Sequence, residues 1–156
     1  MELVAVHPNE IQPADWRDWL GVIALEKACF GPDAWDVLEL FWVLVRPGIR
    51  LKAVSDRRLI GFVVGEAHPA EGCSWIATIG VLPEFQGQGL GARLLAEAES
   101  RLPLPVIKLT VRESNVRAIA LYKRSGYAAT QTIPRYYAGG ETGMVMEKRL
   151  KVPGSD

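Results

Sequence analysis

Gln86-Gly87-Gln88-Gly89-Leu90-Gly91, followed by Ala92, is where residue types and spacing in this chain could do chemistry. An apolar run precedes these glycines and an amphipathic run follows them, so they fall at a helix start. The first N–H groups of a helix lack intrahelical acceptors and sit at the positive end of its dipole. Glycines there let an anion approach without an intervening Cβ. The stretch predicts a phosphorylated cofactor held by main-chain amides. Two other readings fit the same residues. One is a plain turn. The other is a dinucleotide fingerprint, because Gly87, Gly89 and Ala92 satisfy G-x-G-x-x-A and Glu113 lies about where a ribose-binding acid should. Pro83-Glu84-Phe85-Gln86 separates the strand from the glycines and βαβ units are too few, which ranks the dinucleotide reading lower.

Periodicity supplies the elements that must position this loop. Residues 3–7 alternate weakly and stop at Pro8, which predicts a strand; residues 15–30 carry apolar positions at helical spacing. Gly31-Pro32-Asp33 breaks that helix, and Asp33 is expected to cap a second one that runs to Leu44 and ends at Arg46-Pro47-Gly48. Residues 49–54 and 59–66 read as a hairpin, and residues 74–82 as the most apolar strand. After the glycines, Leu90, Leu94, Leu95, Ala98 and Leu102 share one helical face. Ile107, Leu109 and Val111 alternate with Lys108 and Thr110, a strand with one buried face. Asn115 caps a further helix carrying Tyr122 and closing at Gly126, and residues 127–134 and 142–150 form two last strands.

The chain has 156 residues, 49% of them apolar, which suits one domain over residues 1–150 with a frayed tail at 151–156. Eighteen basic and eighteen acidic side chains cancel, so the overall charge that nucleic-acid or anionic-membrane binding calls for is missing. No stretch is long and apolar enough for a membrane span. Cys29 and Cys73 are too few for a disulfide framework or zinc site, and a cytoplasmic chain without a metal is expected. A monomer and a homodimer both stay open.

Element order and residues together resemble the GCN5-related N-acetyltransferase (GNAT) superfamily, whose signature Q/R-x-x-G-x-G/A is matched by Gln86, Gly89 and Gly91. The resemblance covers nearly the whole chain. Residues 110–115 (Thr-Val-Arg-Glu-Ser-Asn), the turn at Glu26-Lys27-Ala28-Cys29-Phe30 and the terminal Arg135-Tyr136-Tyr137 look like the RimI-type protein N-terminal acetyltransferases. The resemblance implies an α/β (α+β) fold: a central, mostly antiparallel mixed sheet of about seven strands, splayed between strands 4 and 5 and flanked by about four helices. It implies acetyl-CoA as co-substrate, with Ile79, Gly80 and Val81 on the pantetheine arm. Amides of Gln86, Gly87, Gln88, Gly89, Leu90, Gly91 and Ala92 would hold the pyrophosphate. Asn115 would hydrogen-bond the cofactor, and Tyr122 would place its hydroxyl beside the thioester sulfur as general acid. Phe30, Trp35, Tyr136 and Tyr137 would contact the acceptor. Taken alone, Asn115 fits a helix cap and Tyr122 a core aromatic; the combined spacing promotes both.

One position departs from the pattern. RimI-type enzymes carry a general-base glutamate where this chain has Thr110, whose hydroxyl cannot accept a proton at working pH. An α-amine with pKa about 8 is roughly a tenth neutral at pH 7, whereas a lysine near 10.4 is neutral in well under a thousandth. The threonine therefore points to an acceptor needing less help, a protein or peptide N-terminus. A small-molecule amine acetyltransferase and a non-catalytic acetyl-CoA-binding protein are the alternatives.

Overall fold

The computed structural model describes residues 10–151. The strand expected over residues 3–7 and the end of the tail lie outside the described residues, whose first strand, β1, is Glu10–Pro13. Helices α1 (Trp19–Phe30) and α2 (Val37–Val45) follow, then strands β2 (Ile49–Ser55), β3 (Arg58–His68) and β4 (Cys73–Val81). The chain continues through α3 (Leu90–Arg101), β5 (Val106–Arg112), α4 (Val116–Arg124), β6 (Ala128–Ile133) and β7 (Gly143–Arg149).

Asp36, not Asp33, caps α2. Its carboxylate accepts from Glu39 N at 2.9 Å while Glu39 accepts from Asp36 N at 3.1 Å. A glutamate three residues after the cap closes this reciprocal pair. Asp33 is held in a short turn after Pro32, and its carboxylate goes to Arg112. The β2–β3 hairpin turns on Asp56 and Arg57, both at positive φ (48° and 63°), the backbone a two-residue primed turn requires.

The strands form one sheet in the order β1-β2-β3-β4-β5-β7-β6, antiparallel except for the β4–β5 pair. This excludes the doubly wound parallel sheet of the dinucleotide reading. β3 is central and buried continuously from Ile60 to Gly65. A Cβ at Gly61 would meet Leu94 of α3 and one at Gly65 would meet Leu102, the residue that caps its C-terminus, whereas one at Gly80 would meet Leu25 and Cys29 of α1. The two helices therefore cover opposite faces.

A buried polar link ties α3 to the far half of the sheet. Glu99 accepts from the Tyr127 hydroxyl at 2.9 Å and from Lys148 Nζ at 2.9 Å. Its side chain is 8% exposed, so both bonds are shielded from water. Glu99→Ala leaves the Tyr127 hydroxyl and the ammonium without partners and is expected to cost about 2–3 kcal/mol, read as a lower urea midpoint at unchanged m.

Candidate active site

The sheet opens between β4 and β5. The two strands are parallel neighbours only at Ser74–Ile107 and Trp75–Lys108. Beyond that, Val64 pairs with Thr78 and Gly65 with Ile76, so Ala77 is an extra residue on β4. A bulge bends its strand and raises the local twist, which carries β4 away from β5. Ile79, Gly80 and Val81 then line a cleft of about 470 Å³. Gly80 is required here: a Cβ would lie 3.0 Å from Leu25 Cδ2 and 3.1 Å from Cys29 Sγ. α1 is packed hard against the strand that forms the cleft wall.

The glycine loop forms one end of this cleft. Gly87 and Gly89 have φ of 79° and 80°, left-handed backbone that costs other residues about 1–2 kcal/mol. Gly89 is the N-cap of α3 and supplies no side-chain cap; the first main-chain bond into its carbonyl comes from Arg93 N at 3.1 Å. The amides from Gly87 to Ala92 thus have no main-chain partner among the described residues. Gln86 differs. Its amide donates to Pro83 O at 3.3 Å, and its side-chain Nε2 to Val81 O at 2.9 Å, so it braces the loop against β4. Gly91 answers to packing, since a Cβ there would stand 3.2 Å from Leu121 Cδ2 of α4.

α4 supplies the facing wall with Asn115, Arg117, Leu121, Tyr122 and Arg124. Asn115 Oδ1 caps the helix through Ala118 N at 3.1 Å, which leaves its NH₂ group for other partners. A Cβ on Gly87 would meet Arg117 Nη2 at 3.3 Å, so this guanidinium lies beside the glycine loop. The cleft lining includes two arginines and no carboxylate. Unpaired amides, a helix N-terminus and guanidinium groups together favour a polyanion. Arg117 and Arg124, seven residues apart and so on one helical face, were not among the residues expected at the site.

Tyr122 sits deep in this wall, 8% exposed, with its ring edge-on to Tyr127 at 6.1 Å. Its hydroxyl has no hydrogen-bond partner among the described residues, and burial pushes its pKa up to about 12. The phenol is neutral at every physiological pH.

Phe30 and Cys29 line the cleft, and the Cys29 thiol donates to Val81 O at 3.3 Å. Gln88, Trp35, Tyr136 and Tyr137 stand outside the lining. Trp35 packs against the core, Tyr136 is half exposed, and Tyr137 meets Tyr136 edge-on and has the Arg112 guanidinium over its ring. Thr110 is also outside the lining; its methyl lies 3.0 Å from where a Cβ on Gly143 would be.

Glu26 was not expected at the site. It is 1% exposed on α1, and its Oε1 accepts from Thr78 Oγ1 at 2.8 Å, the residue before Ile79 in the cleft wall. Burial raises its pKa, against the lowering effect of Thr78 and the Trp35 amide; the Cys29 thiol is raised to about 11 by burial first and by the Glu26 charge second. Among the described residues it has no ion-pair partner. No group of His, Cys, Asp and Glu there could hold a metal ion, and no helix is long and apolar enough to cross a membrane.

Comparison with known proteins places this geometry. Residues 11–127 match the acetyltransferase (GNAT) family. The chain is 42% identical over 119 residues to the N-alpha-acetyltransferase RimI of Mycobacterium tuberculosis, covering 72% of this chain and 74% of that protein. It is 35% identical over 98 residues to N-alpha-acetyltransferase 20 of Dictyostelium discoideum, covering 58% of this chain; the match spans little more than half, 56%, of that relative. The crystal structure of the ribosomal-protein-S18-alanine N-acetyltransferase from Escherichia coli superposes with a TM-score of 0.82 at 23% identity, covering 96% of this chain and 98% of that one. A splayed seven-stranded sheet, an amide-lined helix start at its opening and a sequence match over most of the chain lead to one assignment: this chain belongs to the GNAT family, enzymes that move acetyl from acetyl-CoA to an amine.

Proposed function

We propose that the chain acetylates the N-terminal α-amine of a protein or peptide, in the cytoplasm, by direct transfer from acetyl-CoA with Tyr122 as general acid and Glu26 as general base. The observation that carries this reading is the partnerless Tyr122 phenol in the cleft wall, on the same helix as Arg117 and facing the amides of Gly87 to Ala92. A phenol without a partner faces the cleft, and a buried carboxyl of raised pKa stands behind the strand wall. The relationship to an N-alpha-acetyltransferase at 42% identity supports the choice of amine.

In this reading the cofactor runs along the opened edge of β4. Its pantetheine arm meets Ile79, Gly80 and Val81, and its pyrophosphate lies on the amides of Gly87 to Ala92 beside Arg117. Asn115 adds a donor from α4. The neutral amine attacks the thioester carbonyl; a C–N bond forms, the C–S bond breaks, and one proton must pass from nitrogen to sulfur. Glu26 takes the proton from nitrogen through an intervening water. Tyr122 gives its proton to the departing thiolate. Leaving a tyrosinate of pKa about 12 beside a thiol of pKa about 8.5 is uphill by roughly 5 kcal/mol. Tyr122 therefore needs a proton back in the same turnover, and the proton lost by nitrogen supplies it. The raised pKa of Glu26 suits the base, because burial strengthens its hold on the proton it takes.

Three outcomes are expected. Tyr122→Phe lowers kcat about 100-fold with the Kd for CoA unchanged by calorimetry, since it removes only a leaving-group proton. Glu26→Gln also lowers kcat by at least tenfold and flattens the acid limb of the pH–rate profile. A carboxyl whose folded pKa is raised costs stability once pH exceeds the unfolded value, so Tm at pH 7 should hold or rise in this variant. Arg117→Ala weakens CoA binding about tenfold, a loss of about 1.4 kcal/mol. A panel of peptides, polyamines, aminoglycosides and free amino acids tests the acceptor. Faster turnover of a small amine than of every peptide would overturn the α-amine reading, and CoA binding without any acetylated product would defeat the enzyme reading.

A further inference from the structure

Arg112, the last residue of β5, gathers two distant segments onto one guanidinium. It pairs with Asp33 in the turn after α1 and with Glu141 in the loop between β6 and β7. Its Nη2 also donates to Ala138 O at 3.2 Å, and its guanidinium carbon lies 4.8 Å from the centre of the Tyr137 ring. Glu141 is fixed a second time, by Ser114 N at 2.9 Å. The cluster is mostly shielded, with side chains 25%, 15% and 27% exposed for Arg112, Asp33 and Glu141. An ion pair of this depth and multiplicity holds more firmly than a solvated one.

The turn bearing Asp33 follows directly on Phe30, which lines the cleft, and the same guanidinium holds the β6–β7 loop beside that turn through Glu141 and Ala138 O. Neither segment has another side-chain ion pair among the described residues linking it to the sheet. We infer that Arg112 is a positioning residue for the acceptor: by binding Asp33 and Glu141 at once, it joins the turn after α1 and the β6–β7 loop into one frame around the incoming amine. It touches neither reacting atom. The kinetic part rests on the acetyl-transfer reading above; the structural part does not.

Amide hydrogen exchange of residues 31–36 and 134–141, with Arg112→Gln and Glu141→Gln beside the unaltered chain, tests the frame without any substrate. In Arg112→Gln both segments should exchange faster together, while α3 and the Kd for CoA stay unchanged. Faster exchange in one segment alone, or in neither, overturns the frame. Steady-state kinetics then test its purpose. The KM for a peptide acceptor should rise about tenfold in Arg112→Gln, with kcat changed less, as expected when positioning of one substrate is lost. Arg112→Lys should recover only part of this, because a point charge cannot bridge two carboxylates as the planar fork does. Glu141→Gln, close in shape to the original, should raise the same KM and add little in the Arg112→Gln background. An unchanged peptide KM with a uniform fall in Tm would show a merely structural pair. If no amine is acetylated by the unaltered chain, the functional reading fails and the exchange result still decides the frame.

Discussion

Two residue pairs, Ser74–Ile107 and Trp75–Lys108, are all that join β4 to β5 directly. Everything functional in this molecule follows from that short contact. A strand that leaves its neighbour exposes N–H and C=O groups which must find other partners. Part of the need is met by the protein: Val81 O receives the Gln86 amide and the Cys29 thiol. The remaining edge is an extended polar template suited to an amide-bearing chain such as pantetheine. The separation holds because each half of the sheet is anchored elsewhere. β4 is locked to β3 over eight residue pairs and pressed by α1 at Gly80. β5 is locked to β7 over seven, and Glu99 bridges back from α3 to Tyr127 and Lys148.

The opening also sets the electrostatics. At its loop end the amides of Gly87 to Ala92 and the arginines of α4 make a region where negative charge is favoured. Away from the loop, burial dominates: the Tyr122 phenol in the cleft wall and the Glu26 carboxyl behind β4 are both shifted toward their neutral forms. Phosphate binding and proton transfer ask for opposite environments. Under the proposed reaction the cleft would provide both, with Tyr122 and Arg117 presented by the same short helix.

Much of this was legible in the residues. The glycines at 87, 89 and 91 marked a helix start, where α3 begins, and the alternation of Ile107, Leu109 and Val111 marked a strand with one buried face. Asn115 read as a cap and is one. The failures share a cause. Glu26 reads as an ordinary polar residue in a helix; only Thr78, 52 residues away, shows that it faces inward. Asp33 fits a helix cap locally, but Arg112, 79 residues distant, claims its carboxylate. Asp56 and Arg57 take left-handed backbone in a hairpin without the glycine that usually announces it. Local pattern records local constraints, and these positions answer to partners that only the fold brings near.

The threonine at 110 makes physical sense once Arg112 is placed. Residues two apart on a strand share a face, so a carboxylate at 110 would stand on the same side of β5 as the guanidinium. It would compete with Asp33 and Glu141 for that charge. Beside a cation a carboxylate loses proton affinity, as Glu141 does here through Ser114 and Arg112. Such a group would be a poorer base and would weaken the link between the two segments. Glu26 escapes both problems. It lies on α1, on the face that packs against β4, with a hydroxyl and a main-chain amide as neighbours and no cation. In the proposed reaction the proton acceptor sits on the helix and not on the β5 face, which would leave Arg112 to its two carboxylates and the Glu26 carboxyl its raised affinity for a proton.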